Sequence, residues 1–260
     1  ILSMMYYNLE HFKGLAGYDI NGVWYPRVTK IVEIKAKPQL YKFYAEMSNF
    51  NEGEAVKKQS ADEGTKIHET VEQILIGKNP EIDLKIKPAI DSFRQFLEQK
   101  RIQVDPAYVE KRIANDEERY AGTIDSLAVI DGKFGVLDIK TSQAIYKDYD
   151  LQTAAYLAAL QKNVQRPQTR WILRIDQAKV CLKCGAILRE KGGRQKIKLP
   201  YHNGAYDKQA LTCQHEWSST QGQIELKESP YWQKDYQAFL GAKKLWEWEN
   251  EYWLKQIGYL

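Results

Sequence analysis

The stretch Gly122-Thr-Ile-Asp125-Ser-Leu-Ala-Val-Ile-Asp-Gly-Lys-Phe-Gly-Val-Leu-Asp138-Ile-Lys140 decides the fold. Two runs rich in β-branched and apolar residues flank Asp131-Gly132, a pair typical of tight turns, so the sequence predicts a β-hairpin. Turn chemistry explains Asp131 without any metal. The other two acids, Asp125 and Asp138, fall on the two neighbouring strands of this predicted hairpin.

Asp138 and Lys140 stand two positions apart, and the alternation of a strand places their side chains on the same face. Two carboxylates beside a lysine are the groups that metal-dependent hydrolysis of a phosphodiester requires. The carboxylates bind Mg²⁺ or Mn²⁺, and the cation positions water or stabilises developing charge. By itself Asp-x-Lys is weak evidence, because Lys140 could be a surface lysine on a strand.

Helices and strands alternate along the rest of the chain. The Asn21-Gly22 pair predicts a second hairpin, and the periods of the apolar residues locate the other elements. Helices are predicted at residues 39–47, 62–76, 89–100, 148–161 and 231–257, and strands at residues 108–113, 122–130, 133–140, 171–176 and 223–227. This order predicts an α/β fold with a central mixed β-sheet flanked by helices.

Two of the predicted helices carry polar stripes beside the acidic hairpin. Gly64, His68 and Glu72 recur every four residues, as do Gln152 and Tyr156, so each set shares a helix face. Taken singly, His68 is more often a structural histidine and Glu72 a solvated residue, and Gln152 with Tyr156 fits packing at the core edge. Their joint placement beside two acids instead predicts a site in which His68 supplies an imidazole ligand to the metal.

All three cysteines lie in a polar segment between the last two predicted strands. Cys181-Leu-Lys-Cys184 has the spacing of a zinc knuckle, and Cys213-Gln-His215 offers a second pair of ligands. We expect these four residues to bind structural Zn²⁺, which supplies folding energy that so polar a segment lacks. His202 is a rival fourth ligand, and three free cysteines are an alternative. An iron–sulfur cluster would use four cysteines, whereas this chain has three and none precedes position 181, which weighs against that alternative.

The composition of the chain limits the classes of partner that it can bind. A chain of 260 residues with 43% apolar residues can bury one substantial core, and its formal net charge of +4 is compatible with a polyanionic partner without demonstrating one. No apolar run is long enough to cross a bilayer, and the first ten residues lack the pattern of a secretory signal. We therefore expect a cytoplasmic protein without a membrane partner. The basic residues of the cysteine segment are the predicted DNA contacts: Arg189, Lys191, Arg194, Lys196 and Lys198.

The motifs occur together in an order that resembles the PD-(D/E)xK nuclease superfamily, specifically its RecB-like branch with phage-type and mitochondrial-type exonucleases. The matching segments are Gly64-Thr-Lys-Ile-His68-Glu-Thr-Val-Glu72, Gly122-Thr-Ile-Asp125, Val136-Leu-Asp138-Ile-Lys140-Thr-Ser142, Gln152-Thr-Ala-Ala-Tyr156 and the opening Tyr25-Pro-Arg-Val-Thr-Lys-Ile-Val32. The resemblance covers most of residues 20–176. Any one motif alone is nearly worthless, whereas the set is highly specific.

The resemblance implies a restriction-endonuclease-like core and assigns roles to single residues. His68, Asp125, Asp138 and the carbonyl of Ile139 would bind the metal, and Lys140 would serve the attacking water. A further set would act beside the metal ligands, on a second metal, or on the DNA: Glu72, Glu110, Gln152 and Tyr156. The zinc-binding insert is no part of the family pattern, so its role is open.

We therefore predict a nuclease domain formed by residues 1–176 and 222–260, with a zinc-binding insert at residues 177–221. The predicted function is metal-dependent hydrolysis of DNA phosphodiesters, with exonuclease action on single-stranded or end-processed DNA preferred. The alternatives are an endonuclease, a non-catalytic DNA-binding module that keeps a nuclease fold, and a zinc-ribbon interaction protein.

Overall fold

The structure is a computed structural model that describes residues 6–162 and 166–260. The helices are α1 (Leu9–Ala16), α2 (Val28–Val32), α3 (Pro38–Ala45), α4 (Phe50–Leu75), α5 (Lys87–Gln99), α6 (Asp148–Ala159), α7 (Lys208–Leu211), α8 (Gln233–Glu249) and α9 (Glu251–Gln256). The strands are β1 (Gly17–Ile20), β2 (Val23–Pro26), β3 (Ile102–Val104), β4 (Lys111–Asn115), β5 (Tyr120–Ile124), β6 (Ser126–Ile130), β7 (Lys133–Lys140), β8 (Thr169–Val180), β9 (Ile187–Lys191), β10 (Arg194–Lys198), β11 (Tyr201–His202), β12 (Ala205–Tyr206) and β13 (Gln221–Glu228). The first ten residues lack the pattern of a secretory signal, and the first five of them lie outside the described residues.

A seven-stranded mixed sheet forms the centre of the molecule. Its strand order is β10-β9-β8-β7-β6-β3, and β13 also pairs with β8. The β7–β8 pair is parallel and the other pairs are antiparallel. Parallel neighbours need a crossover connection, and α6 lies in the chain between β7 and β8. The predicted α/β fold with a central mixed sheet flanked by helices is confirmed.

Alternation along β7 separates two hydrophobic cores. Leu137 and Ile139 pack with α4 and α5, in a cluster that includes Val71 and Phe93. Val136, on the opposite face, packs with α6 and α8 in a cluster that includes Tyr156 and Phe239. Because side chains alternate along a strand, Asp138 lies on the same face as Val136, toward α6. The sheet is therefore covered by helices on both faces. The carboxylates of Asp125 and Asp138 are buried within this arrangement.

The central hairpin forms as the sequence predicts, with one difference. Asp131 and Gly132 both have positive φ, 51° and 78°, as a two-residue hairpin turn requires. The predicted strand at residues 122–130, however, is broken at Asp125 into β5 and β6, and β5 pairs with β4 in a separate two-stranded sheet. At this point the Asp125 carboxylate, instead of a backbone carbonyl, accepts the N–H of Ile139, fourteen positions along the chain, at 2.5 Å.

Two helices depart from the predictions by more than two residues at an end or by a break. The helix expected at residues 62–76 begins twelve residues earlier, because the Asn49 side chain caps it by accepting the N–H of Glu52 at 2.9 Å. The helix expected at residues 231–257 is divided into α8 and α9 at Asn250. The earlier start of α4 matters for the fold because its first half receives the turn between β9 and β10.

The cysteine segment is joined to the sheet through its first strands. β8 continues to Val180, and β9 and β10 add two further strands to the same sheet. The β11–β12 hairpin and α7 follow before the chain returns along β13, which pairs with β8. These two strands include the predicted strands at residues 223–227 and 171–176. Part of residues 177–221 thus extends the central sheet, and the division into a domain and an insert stays a prediction.

Candidate active site

The predicted polar residues converge on a cleft between α4 and the carboxyl end of β7. Its walls include Gly64, His68, Glu72, Glu110 and Lys140. Two buried carboxylates lie beneath them, since Asp125 is 9% exposed and Asp138 is fully buried. Burial of carboxylates is costly without strong partners. The contacts that offset this cost define the site.

Asp125 links the hairpin to α4. Its Oδ2 atom accepts the Ile139 N–H and lies 3.0 Å from Nε2 of His68. Burial raises the pKa of Asp125, but the hydrogen bond from His68 and the positive charge of Lys140 outweigh it and hold the pKa below its usual value. The carboxylate is therefore ionised at neutral pH. The sequence placed these two residues in one site, and the structure brings them into contact.

Asp138 is held by Lys140 and by α6. Nζ of Lys140 lies 2.6 Å from Asp138 Oδ2, and the Gln152 amide donates to Asp138 Oδ1 at 3.2 Å. The same Gln152 amide lies 3.0 Å from the hydroxyl of Tyr156. Burial raises the pKa of Asp138 to about 6, although the charge of Lys140 opposes this shift. The pattern of alternate residues thus placed Asp138 and Lys140 on one face, as predicted.

Lys140 remains a cation in this setting. Burial lowers its pKa, but the neighbouring carboxylates of Asp138 and Asp125 raise it above the usual value. The Nζ atom also lies 5.2 Å from the centre of the Tyr149 ring. Sequence reasoning missed Tyr149. Its position three residues before Gln152, on the same face of α6, is a signal that would have found it.

A second acidic group lies on the α4 side of the cleft. His68 Nδ1 is 2.9 Å from Glu72 Oε1, and ligand atoms of His68, Glu72 and Glu110 all lie within 4.8 Å of one another. Burial lowers the pKa of His68, but the carboxylates of Asp125 and Glu72 on either side of its ring raise it to about 10. Burial and the nearby Glu72 carboxylate raise the pKa of Glu110 to about 7. Glu110 has a positive φ of 51°. Its backbone N–H donates to the Asp125 carbonyl at 3.0 Å, which fixes its position beside the hairpin.

Two glycines permit the close packing of this site. A Cβ atom on Gly64 would lie 2.5 Å from Oγ1 of Thr141, and one on Gly122 would lie 2.4 Å from the Tyr156 ring. Neither distance is tolerable for a real side chain. Both glycines therefore let a neighbouring element approach, Gly64 the end of β7 and Gly122 the ring on α6.

The donor set fits a divalent cation that prefers oxygen and imidazole ligands. Asp138 Oδ2 lies 2.6 Å from Lys140 Nζ, and Glu72 Oε1 lies 2.9 Å from His68 Nδ1, so each buried oxygen has one cationic partner. A carboxylate oxygen has a second lone pair, and such oxygens are the ligands that Mg²⁺ and Mn²⁺ prefer. His68, Glu72 and Glu110 could hold such an ion. Asp125 and Asp138 lie next to this group.

The cysteine segment contains a second candidate metal centre. Sγ of Cys181 is 3.9 Å from Sγ of Cys213, and Sγ of Cys184 is 3.4 Å from Nδ1 of His215. All four ligand atoms lie within 4.8 Å of one another, as four ligands of one tetrahedral metal do. Gly185 follows the second cysteine with a φ of 72°. Burial raises the pKa of the Cys181 thiol, but hydrogen bonds from backbone N–H groups outweigh this effect and lower the pKa to about 5. This Cys3His group could hold a metal. His202 lies exposed on β11, outside the group.

Three of the five predicted DNA-binding residues contact the protein itself. Arg189 pairs with Asp176, and Arg194 pairs with Glu46, each at 2.6 Å. Lys191 donates to the carbonyl of Thr141, and burial together with the charge of Arg189 lowers its pKa to about 8. Lys196 and Lys198 are exposed on β10. The basic cluster is thus divided between internal contacts and a small exposed pair.

A groove with a mixed aromatic and polar lining opens beside the cleft, which the sequence did not indicate. It is lined by residues of α2, α3 and α6 and of the segment before α6, among them Glu33, Leu40, Phe43, Tyr146, Asp148, Tyr149 and Gln152. Tyr146 and Tyr149 meet edge to face with ring centres 5.8 Å apart. Since Gln152 also contacts Asp138, the groove and the cleft are adjacent.

No protein-family model matches the chain, and comparison with curated proteins finds no match either. Membership of the PD-(D/E)xK superfamily therefore stays a prediction that rests on the motifs. Among the described helices, none combines the length and the apolar character needed to cross a bilayer.

Proposed function

We propose that the chain is a metal-dependent deoxyribonuclease whose active site is the cleft around Asp125, Asp138 and Lys140. The observation that carries the proposal is the contact network of Asp138. This fully buried carboxylate has the Lys140 ammonium 2.6 Å from one oxygen and the Gln152 amide on the other, and it lies close to the second buried carboxylate, Asp125. Burying two carboxylates beside a lysine in one cleft is costly, and their oxygen atoms are the ligands that Mg²⁺ and Mn²⁺ prefer.

The residues that would hold Mg²⁺ or Mn²⁺ are His68, Asp125 and Asp138, with the carbonyl of Ile139 as the resemblance implies. Glu72 and Glu110 add carboxylates on the α4 side of the same cleft. When bound, such a metal lowers the pKa of a water molecule and neutralises charge that develops on the phosphate. Asp125 is ready for this role because its pKa lies below the usual value.

The remaining residues orient and neutralise. Lys140 is positively charged at neutral pH, so it stabilises negative charge on a phosphate or orients a water molecule by donating a hydrogen bond. Gln152 fixes the orientation of Asp138 and contacts the hydroxyl of Tyr156. Burial holds the pKa of that hydroxyl well above its usual value, so Tyr156 stays neutral and acts as a hydrogen-bonding and packing group.

The adjacent groove supports a single-stranded or frayed end as the substrate. Aromatic rings of Phe43, Tyr146 and Tyr149 line it, and such rings bind unpaired bases by stacking without regard to sequence. A base within a duplex presents no free face to such rings. The preference for exonuclease over endonuclease action rests on the resemblance alone.

A panel of labelled DNA substrates tests this function. Linear and circular molecules, single- and double-stranded, are incubated with Mg²⁺ or Mn²⁺ and with wild-type protein, Lys140→Met or Asp131→Asn. Asp131→Asn is the matched control, because this exposed acid belongs to the turn of the same hairpin. We expect cleavage of linear single strands that Lys140→Met abolishes and Asp131→Asn leaves intact.

Each other outcome points to another function. Cleavage of circular DNA indicates an endonuclease. DNA binding without cleavage by the wild type indicates a non-catalytic binding module, and the absence of both favours an interaction protein organised by the Cys3His group.

A further inference from the structure

The end of the strand that carries Lys140 is held from the cysteine segment. The carbonyl oxygen of Thr141, the residue after Lys140, accepts a hydrogen bond from Nζ of Lys191 and another from Nη2 of Arg189 at 3.4 Å. Both donors lie on β9. Arg189 is itself fixed by the buried carboxylate of Asp176, 2.6 Å from its Nε. Two cations of one strand thus converge on a single carbonyl next to the candidate catalytic lysine.

The turn after Lys191 is seated on α4. The N–H of Gly192 donates to both carboxylate oxygens of Glu63, at 3.2 and 3.3 Å. A Cβ atom on Gly192 would lie 2.1 Å from Oγ of Ser60 and 2.4 Å from the carbonyl oxygen of Val56, and the φ of 62° disfavours any other residue. This fit fixes the position from which Lys191 reaches Thr141.

The same strand begins directly behind the Cys3His group. Ile187, the first residue of β9, follows Cys184 by three positions. The N–H of Cys181 donates to the carbonyl of Ala186 at 2.7 Å, and the N–H of Leu182 donates to the carbonyl of Glu216 at 2.8 Å. A metal bound to the four side chains would therefore join the end of β8, the start of β9 and the segment around His215.

We propose that Lys191 is a positioning residue: with its metal bound, the Cys3His group fixes β9, and Lys191 thereby holds the Thr141 carbonyl and keeps Lys140 beside Asp138. The predicted ordering of Thr141 is independent of any activity. Only the predicted effect on rate rests on the proposed function. A small displacement of a catalytic group is enough to slow a reaction markedly. The hydrogen bond from Lys191 to the Thr141 carbonyl, called the anchor below, acts one residue away from Lys140.

Amide hydrogen exchange of residues 138–140, the last residues of β7 that pair with β8, tests the anchor in the zinc-loaded full chain. We compare wild type with Lys191→Met, with the conservative Lys191→Arg, and with Lys196→Met, which removes an exposed lysine from the neighbouring strand. Lys191→Met should exchange about tenfold faster in this segment while its zinc content is unchanged, and the other two variants should match wild type. In cleavage assays the same variant should lose about tenfold in kcat with little change in KM.

The link to the metal is tested with Cys213→Ser and with zinc-depleted wild type. Both should show the same faster exchange at residues 138–140. If exchange there is unchanged in Lys191→Met, or in zinc-depleted protein that stays folded, the proposal is overturned. Where Cys213→Ser fails to fold, Lys191→Met decides because it keeps all four metal ligands.

The exchange and the rate measurements separate two kinds of failure. If wild type cleaves no DNA while exchange rises in Lys191→Met, the proposed function fails and the anchor stands. If exchange rises but kcat is unchanged, the anchor has no part in catalysis and the positioning role is wrong.

Discussion

Nε2 of His68 lies 3.0 Å from Oδ2 of Asp125, so one contact joins α4 to the point where the central hairpin is broken. The other ring nitrogen of His68 faces Glu72, and the two carboxylates raise its pKa to about 10 against the opposing effect of burial. Without metal the imidazole is therefore protonated at neutral pH. A histidine must be neutral to coordinate a metal, so binding of a cation to His68 displaces a proton.

Metal binding should accordingly release protons. At about pH 8 we expect release of roughly one proton for each Mn²⁺ bound, because His68 loses its proton in exchange for the metal. Isothermal titration calorimetry in two buffers of different ionisation enthalpy measures this number. His68→Gln should bind Mn²⁺ more weakly and release fewer protons. Equal proton release in His68→Gln and wild type would show that His68 is no ligand.

Affinity for the metal should fall as the pH falls. Burial is the largest cause that raises the pKa of Glu110 to about 7 and that of Asp138 to about 6, so both carboxyl groups take up protons as the pH drops below neutral. A cation must then compete with these protons. We expect Mn²⁺ affinity to decrease at least about tenfold from pH 8 to pH 6, with a shallower decrease in Glu110→Gln.

The same pKa shifts have the opposite consequence for stability without metal. A carboxyl group whose pKa is raised on folding binds more protons in the folded than in the unfolded state. The free energy of unfolding of the metal-free protein should therefore fall as the pH rises from about 4.5 through 7, relative to Glu110→Gln. Denaturant titrations at several pH values measure this difference. An unchanged difference across that window would show that Glu110 titrates normally.

The close approach at Gly122 predicts a large effect from one methyl group. A Cβ atom there would lie 2.4 Å from the buried Tyr156 ring, whereas nothing lies within 4 Å of one placed on Gly14 in α1. We expect Gly122→Ala to lower the free energy of unfolding by about 1–3 kcal/mol. Gly14→Ala is the matched control and should stabilise, by roughly 0.5–1 kcal/mol. Equal unfolding midpoints for the two variants would contradict the packing described here.

The groove predicts a preference that can be read from the substrate. Phe43→Ala should raise KM for linear single-stranded DNA several-fold, because one stacking surface is lost. Tyr41→Ala is the control, since this exposed tyrosine of the same helix lies outside the groove lining. An abasic position next to the cleaved bond should raise the KM of wild type by the same factor. For Phe43→Ala, the abasic position should cause no further increase in KM. Indifference of wild type to the abasic position would rule out stacking in this groove.

The sequence predicted what local patterns determine. Asp131-Gly132 marks the hairpin turn, and the two-residue spacing of Asp138 and Lys140 places both side chains toward α6. The four-residue spacing of Gln152 and Tyr156 likewise brings both side chains to one contact. These features depend on neighbours a few residues apart, which is the range over which a sequence pattern is informative.

Other features depend on partners far along the chain. The break at Asp125 follows from a hydrogen bond to a residue fourteen positions away, and the contact of Lys191 with Thr141 spans fifty positions. The strand pattern at residues 122–130 does not reveal the hydrogen bond between Asp125 and Ile139. The basic cluster likewise does not reveal the contact of Lys191 with Thr141. For the same reason, Arg189 and Lys191 looked like exposed DNA contacts although they face the protein.

The rate of a single turnover with Asp138→Asn tests the central claim most directly. The variant keeps the size of the side chain but removes one charge of the buried pair with Lys140. Its unfolding midpoint should therefore fall below that of wild type, and turnover is measured at a temperature at which the variant is folded. With saturating Mn²⁺ and linear single-stranded DNA, we predict that cleavage by Asp138→Asn is at least about a thousandfold slower than cleavage by wild type. Cleavage at the wild-type rate by a folded Asp138→Asn protein would contradict the assignment of this cleft as the active site.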